Sequence, residues 1–340
     1  MSQAAAKRTM TYVRLGSSGL KVSRVILGCM SYGDSRWLKW VLDEEESITQ
    51  IKAAYDMGIQ TFDTSNVYSN GLGEVVLGKA IRQHQLPRDE IVVMTKVFGA
   101  VSRDVSEHLY GDTIDGKGYV NQYGLSRKHI FDSVKHSLER LGLDYIDVLQ
   151  CHRFDKETPI EETMQALHDV VKAGYVRYIG ASSCYAWEYY ALAHNLTPFI
   201  SMQNHYNLLY REEEREMMPT LKHLGVGAIP WSPLARGHLT RPFGESTLRA
   251  GSDPWGMAYA GGASKEIIDR VEHLAQKKHI SMAQLALAWL LHQDGVCAPV
   301  VGTTSAAKLR DTLRGLDVAL TADEVGYLAQ AYVPRGVFGH

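Results

Sequence analysis

The sequence predicts a closed (β/α)8 TIM barrel. Three observations carry that prediction: eight short apolar runs, amphipathic segments of helical period between them, and no glycine-rich fingerprint of an open nucleotide-binding sheet. The runs are 25–28, 59–63, 91–96, 145–151, 176–181, 199–203, 226–231 and 297–301. Strict alternation of strand and helix implies parallel strands, right-handed crossovers and a jacket of helices outside. A barrel and an open doubly wound sheet both obey that rule. The count of runs favours the barrel. The open sheet would also need G-x-G-x-x-G after its first strand, whereas Gly28 reaches Gly33 through Cys29, Met30, Ser31 and Tyr32.

The helical segments show apolar residues three and four apart, as in Ile48, Ile51, Ala54 and Tyr55, or Ile130, Val134, Leu138 and Leu141. Others begin near Gly73, Pro159, Tyr185 and Arg211. A long helical region over 264–292, interrupted near Ile280, precedes the eighth run, and a helix over 305–313 follows it. Ahead of the first run, 12–22 reads as a hairpin turning at Ser17, Ser18 and Gly19, placed to plug the barrel bottom. Residues 1–10 read as a flexible leader and 11–340 as a single domain. Two connections, 97–125 and 232–263, are too long for simple turns and read as lids at the C-terminal mouth.

Bulk properties narrow the function classes. A net charge of −2 and a pI near 6.7 leave no cationic footprint for nucleic acid. No stretch of about 18 apolar residues is present to span a membrane. Cys29, Cys151, Cys184 and Cys297 lack paired spacing and lie in or beside apolar runs, so they read as reduced, buried thiols in a cytoplasmic setting. The acidic loop around Asp112 and Asp115 lacks calcium-ligand spacing, and no metal site is expected. The clusters 44–46 and 212–214 read as solvated acids at helix starts, and His129, His136 and His168 as helix-surface residues.

In a barrel of this kind reactive groups stand at the C-terminal ends of strands. There the sequence places Asp63, with Tyr68 just beyond it, then Lys96 and His152. One acid, one phenol, one ammonium and one imidazole fit proton donation to a carbonyl oxygen. A phenol of pKa about 10 keeps its proton at neutral pH and yields it more readily beside an ammonium, by roughly 1 to 3 units. Asp63 would hold Lys96 charged, and His152 would fix the substrate oxygen through a hydrogen bond.

The stretch 58–68, followed by Gly73-Glu74 and Leu77-Gly78, resembles the active-site signature of the aldo-keto reductases. Lys96 after Val92-Val93-Met94-Thr95, and His152 after 144–151, complete that family's tetrad in order. The resemblance extends from about Tyr12 to Leu316 and implies an NADPH/NADP+ cofactor. It assigns the nicotinamide to Asp63, Ser182, Ser183, Gln203 and Trp231, with Ser183 standing where the family has Asn. It lays the pyrophosphate along Ser232, Pro233, Leu234, Arg236 and Arg241. The 2′-phosphate and adenine fall to Gly302, Thr304, Lys308, Asp311 and Thr312, the last departing from the common Asn. Met30, Tyr32, Trp37, Phe98 and Trp255 would wall an apolar substrate pocket. The segment 37–45 and the loop 119–125 are similar to fungal members near the aryl-alcohol dehydrogenases and versiconal hemiacetal acetate reductases, implying an aryl or bulky carbonyl substrate. The resemblance also admits a second function class, the NADPH-binding regulatory β subunits of potassium channels.

Overall fold

The computed structural model describes residues 10–109, 114–184, 196–259 and 261–338. Most of the leader and the helix expected near Tyr185 lie outside the described residues. Strands β1 (Tyr12–Arg14) and β2 (Lys21–Ser23) form an antiparallel hairpin. Eight parallel strands follow: β3 (Ile26–Gly28), β4 (Thr61–Asp63), β5 (Val92–Val97), β6 (Ile146–Cys151), β7 (Val176–Ala181), β8 (Phe199–Met202), β9 (Gly227–Ala228) and β10 (Val300–Gly302). They pair in sequence order from β3 to β9, and β10 pairs with β3.

The ring closes between the last two elements. Cys297 N–H donates to Ala228 O and Val300 N–H to Pro230 O, each at 2.8 Å. The run 226–231 continues beyond β9, since Ile229 and Trp231 donate to Met202 and Asn204 at 2.9 Å each. Pro230 and Pro299 interrupt the regular ladder here because proline has no N–H to give.

Pleating decides which side chains enter the barrel, since alternate residues face one side of a strand. Val92 and Met94 of β5 pack in a bottom layer with Ile26, Val148, Ile229 and Val300. Leu15 and Val22 of the hairpin belong to the same cluster and are fully buried, so the hairpin plugs the barrel bottom with apolar side chains. The next residue of that parity on β5 is Lys96, and the next on β6 after Val148 is Gln150. The barrel thus changes from apolar to polar toward its C-terminal end.

The outer helices follow the sequence periods. Glu44–Asp56 buries Ile48, Ile51 and Ala54. Arg127–Leu141 buries Ile130, Val134 and Leu141. Its start is fixed by Ser126, whose hydroxyl accepts from the His129 N–H, and its end by Gly142 at φ 63°. The helical region before β10 divides into Gly262–Lys277 and Met282–Leu291, with His279 at φ 55° in the break. A C-terminal helix, Ala322–Ala329, went unread in the sequence although Thr321 and Glu324 form a reciprocal capping box.

Two sequence readings are corrected. Glu212 and Glu213 are buried rather than solvated. Glu212 accepts from the Tyr332 hydroxyl at 2.6 Å and the Arg335 N–H at 2.7 Å, which cover it with the C-terminal segment. His129 is buried as well, its Nδ1 held 2.8 Å from Gly124 O. Cys29, Cys151 and Cys184 are buried and Cys297 partly so. Among the described residues no helix is long and apolar enough to cross a membrane.

Candidate active site

At the C-terminal rim, β4 ends on Asp63, β5 carries Lys96 one residue from its end, and His152 follows the last residue of β6. Tyr68 opens a 3-10 turn just after β4, over Tyr68–Gly71. The structure brings all four together. Lys96 Nζ lies 2.6 Å from Asp63 Oδ2, 2.9 Å from Thr64 O and 3.4 Å from the Tyr68 hydroxyl. His152 meets the Tyr68 ring edge-on at 5.9 Å between centroids, and its Nδ1 lies 3.2 Å from Ser65 Oγ.

Burial and neighbouring charge set the protonation states. Asp63 and Lys96 are almost fully buried, and an ion pair there depends on every remaining polar atom being met. The other Asp63 oxygen, Oδ1, accepts from Gln150 Nε2 at 2.8 Å and Gln203 Nε2 at 2.9 Å. Burial lowers the Lys96 pKa, but the Asp63 carboxylate and then the Tyr68 hydroxyl raise it, and the net direction is up. Burial drives His152 well below its ordinary 6.5, helped by the positive charges of Arg153 and Lys96, so the imidazole is neutral. Tyr68 corrects the sequence expectation of a lowered phenol. Lys96 does pull it down, but burial, joined by the Asp63 carboxylate, outweighs the ammonium and leaves the pKa raised.

A cavity of about 1050 Å³ opens on this group, at the upper end of the range for small-molecule sites. Tyr68, His152, Ser182, Gln203 and Trp231 line it. So do Ser232, Pro233, Leu234, Arg236 and Arg241, and Gly302, Thr304, Lys308, Asp311 and Thr312. Met30, Trp37, Phe98 and Trp255 also face the cavity. Of the residues expected there, three do not line it. Tyr32 is fully buried in the core, because the 3-10 turn Cys29–Ser31 after β3 breaks the strand's alternation. Ser183 is buried behind Trp231, whose indole N–H donates to Ser183 Oγ at 3.0 Å. Lys96 lies beneath the floor, reaching the cavity through Tyr68 and Asp63.

The cavity residues fit a dinucleotide. One face of the Trp231 ring is covered by His205, stacked at 4.1 Å and 12°, and its N–H is fixed by Ser183, so the ring is rigid beside the cleft. Gln203 commits its NH2 to Asp63 and Gln150, which leaves its carbonyl oxygen to accept from a ligand amide. Among the described residues one buried guanidinium nitrogen of Arg241, Nη2, has no partner. The helix Ala306–Leu313 presents its N-terminus with Lys308 exposed in its first turn. Asp311 is already engaged by Ser281 Oγ and Gln284 Nε2, each at 2.6 Å. Arg236 is likewise engaged, paired with Asp253 at 2.6 Å.

Several contributors escaped the sequence reading. Gln150 supports Asp63 from below. Asn70, at φ 49°, donates to the carbonyls of Asp104, Val105 and Glu107 at 2.8–3.1 Å and accepts from Ser102 N–H at 3.0 Å, tying the first long connection to the rim. His108 and Arg153 also line the cleft. Arg153 had the one signal available, its place directly after His152 at a strand end. Glu74 of the signature stretch is structural: it is fully buried and bonds Thr95 Oγ1 at 2.5 Å and Arg140 Nε at 2.6 Å. No group of three or more potential metal ligands is found among the described residues.

Comparison with known proteins agrees with this geometry. A profile of the Aldo/keto reductase family matches residues 24–333. A putative aryl-alcohol dehydrogenase of Schizosaccharomyces pombe is 48% identical over 345 residues, covering 96% of this chain and 97% of the relative. The versiconal hemiacetal acetate reductase of Aspergillus parasiticus is 48% identical over 342 residues, covering 96% and 98%. A putative aryl-alcohol dehydrogenase of Saccharomyces cerevisiae is 45% identical over 335 residues, covering 95% and 97%. An eight-stranded parallel barrel with a plugging hairpin, matched by the family over nearly its whole length, makes the chain an oxidoreductase of the aldo/keto reductase family.

Proposed function

We propose that the chain reduces aryl or other bulky aldehydes and ketones with NADPH, Tyr68 supplying the proton. The observation that carries this reading is the chain of contacts from Asp63 through Lys96 to the Tyr68 hydroxyl, at 2.6 and 3.4 Å, opening on one cleft beside a neutral His152. When bound, the reduced nicotinamide supplies the hydride. Gln203 and Ser182 would hold its carboxamide, and Trp231 would flank its ring. Arg241, Lys308 and the N-terminus of Ala306–Leu313 would receive its phosphates.

His152, kept uncharged by burial, donates one hydrogen bond to the substrate oxygen and so orients the carbonyl against the phenol. The Tyr68 hydroxyl then gives up its proton as negative charge develops on that oxygen. Lys96 stabilises the phenolate left behind, and Asp63 keeps the ammonium charged and in place. Trp37, 6.3 Å from Tyr68 between ring centroids, and the Phe98–Tyr123 pair at 4.7 Å offer aromatic walls to a flat substrate. The names of the relatives, aryl-alcohol dehydrogenase and versiconal hemiacetal acetate reductase, support that substrate class. The test is loss of NADPH absorbance on adding an aryl aldehyde: turnover is expected, and tight NADPH retention without turnover would favour a regulatory protein.

A further inference from the structure

Arg153 is a cleft residue for which the proton-transfer chemistry has no use. It follows His152 at the end of β6 and lines the same cavity as Tyr68 and Trp37. Among the described residues its hydrogen bond runs from Nη1 to the carbonyl of His152, at 2.5 Å, which leaves most of the guanidinium's five N–H groups uncommitted there. No carboxylate pairs with it among the described residues. The other charges at the cleft are differently placed. Arg236 and Arg249 share Asp253, at 2.6 and 2.9 Å. Glu107 is taken by Lys117 at 2.8 Å and Ser102 Oγ at 2.6 Å, and Asp63 is taken by Lys96. A largely buried guanidinium without a counter-ion is costly, and burial lowers the Arg153 pKa as its largest influence. Such a group is stabilised when a ligand brings the missing anion.

We propose that Arg153 selects carbonyl substrates bearing a carboxylate, which it binds through charge-assisted hydrogen bonds while the carbonyl lies between Tyr68 and His152. This deepens, and rests on, the reductase reading above. Trp37 and His108, 5.6 Å apart between ring centroids, flank the apolar body of such a substrate. The occupant is therefore an apolar, flat carbonyl compound with an acid group, such as an aromatic aldehyde acid. Lys in place of Arg would keep the charge but lose the planar fork that matches a carboxylate.

The experiment compares 4-carboxybenzaldehyde with 4-methylbenzaldehyde on the wild type, Arg153→Met and Arg153→Lys, and separately titrates benzoate into each protein by calorimetry. The wild type is expected to prefer the carboxylated aldehyde, with the ratio of the two kcat/KM values falling at least tenfold in Arg153→Met and recovering in part in Arg153→Lys. Benzoate binding should weaken by a similar factor. An unchanged ratio with unchanged benzoate affinity overturns the proposal. So does a rise in NADPH KM that is equal with both aldehydes, which would assign Arg153 to the cofactor. If neither aldehyde is reduced by the wild type, the reductase reading fails, while the benzoate titration still decides whether Arg153 binds a carboxylate.

Discussion

Lys96 Nζ stands 2.6 Å from Asp63 Oδ2 and 3.4 Å from the Tyr68 hydroxyl, so the ammonium is anchored by the acid and leans on the phenol. Both the phenol and the ammonium have raised pKa values, and His152 has one well below 6.5.

The pH dependence of reduction follows from those directions. The phenol and the ammonium stay protonated up to about pH 10, and the imidazole stays neutral at and above neutral pH. The kcat for reduction is expected to be flat between about pH 7 and 9 and to fall only above about 10. A limb with an apparent pKa near 7 would contradict the neutral imidazole. Stability follows by linkage. The depressed His152 contributes stability that is complete above about pH 6.5 and is lost as pH falls, since only the unfolded chain then takes the proton. The raised Lys96 contributes stability present below about pH 10.4 and lost as pH rises through its folded value.

The proposed preference for NADPH rests on Lys308, exposed in the first turn of Ala306–Leu313, with no acidic residue between Gly302 and Lys308 to compete for a ribose hydroxyl. Lys308→Ala is expected to raise KM for NADPH at least tenfold and to leave KM for NADH within about twofold, as loss of one charge-assisted contact requires. Steady-state kinetics with both cofactors checks this. Equal effects on both would remove the 2′-phosphate role.

Gly78, part of the sequence signature, has a packing function. A Cβ added there would lie 2.1 Å from Leu141 O and 2.7 Å from Leu141 C, where the helix Leu72–Gln83 meets the end of Arg127–Leu141. Backbone cannot yield as a flexible side-chain tip does, so Gly78→Ala is expected to cost about 1–3 kcal/mol of stability. Denaturant unfolding measures it. A change within about 0.5 kcal/mol, the range of ordinary surface substitutions, would show that the two helices can separate freely.

The barrel and the four rim residues were legible because polar groups interrupt apolar runs at their ends, and strand alternation assigns a side to each residue. Legibility stopped where alternation stops. Tyr32 lies beyond β3 after a 3-10 turn, so its burial in the core could not be counted out from the strand. Gln150 was passed over as an ordinary strand residue, because its partners Asp63 and Gln203 are distant in sequence. Glu212 looked like a solvated acid until the C-terminal segment, some 120 residues later, folded over it. A lowered Tyr68 pKa follows only if Lys96 is its one neighbour, whereas burial is a property of the whole rim and raises it. The Thr321–Glu324 capping box was readable locally and was missed.

The Tyr68 hydroxyl is the proposed proton donor to the carbonyl oxygen. Tyr68→Phe removes that one oxygen and keeps the ring against Trp37 and His152, whereas the residues proposed to hold the cofactor, Gln203, Trp231, Arg241 and Lys308, are untouched. Pre-steady-state and steady-state reduction of an aryl aldehyde, together with NADPH affinity by fluorescence titration, measures both functions on one variant. The kcat and kcat/KM are expected to fall together by about 10² to 10⁴ while the NADPH Kd changes less than about threefold. Retention of more than about a tenth of wild-type kcat would contradict that role and pass the proton to another donor.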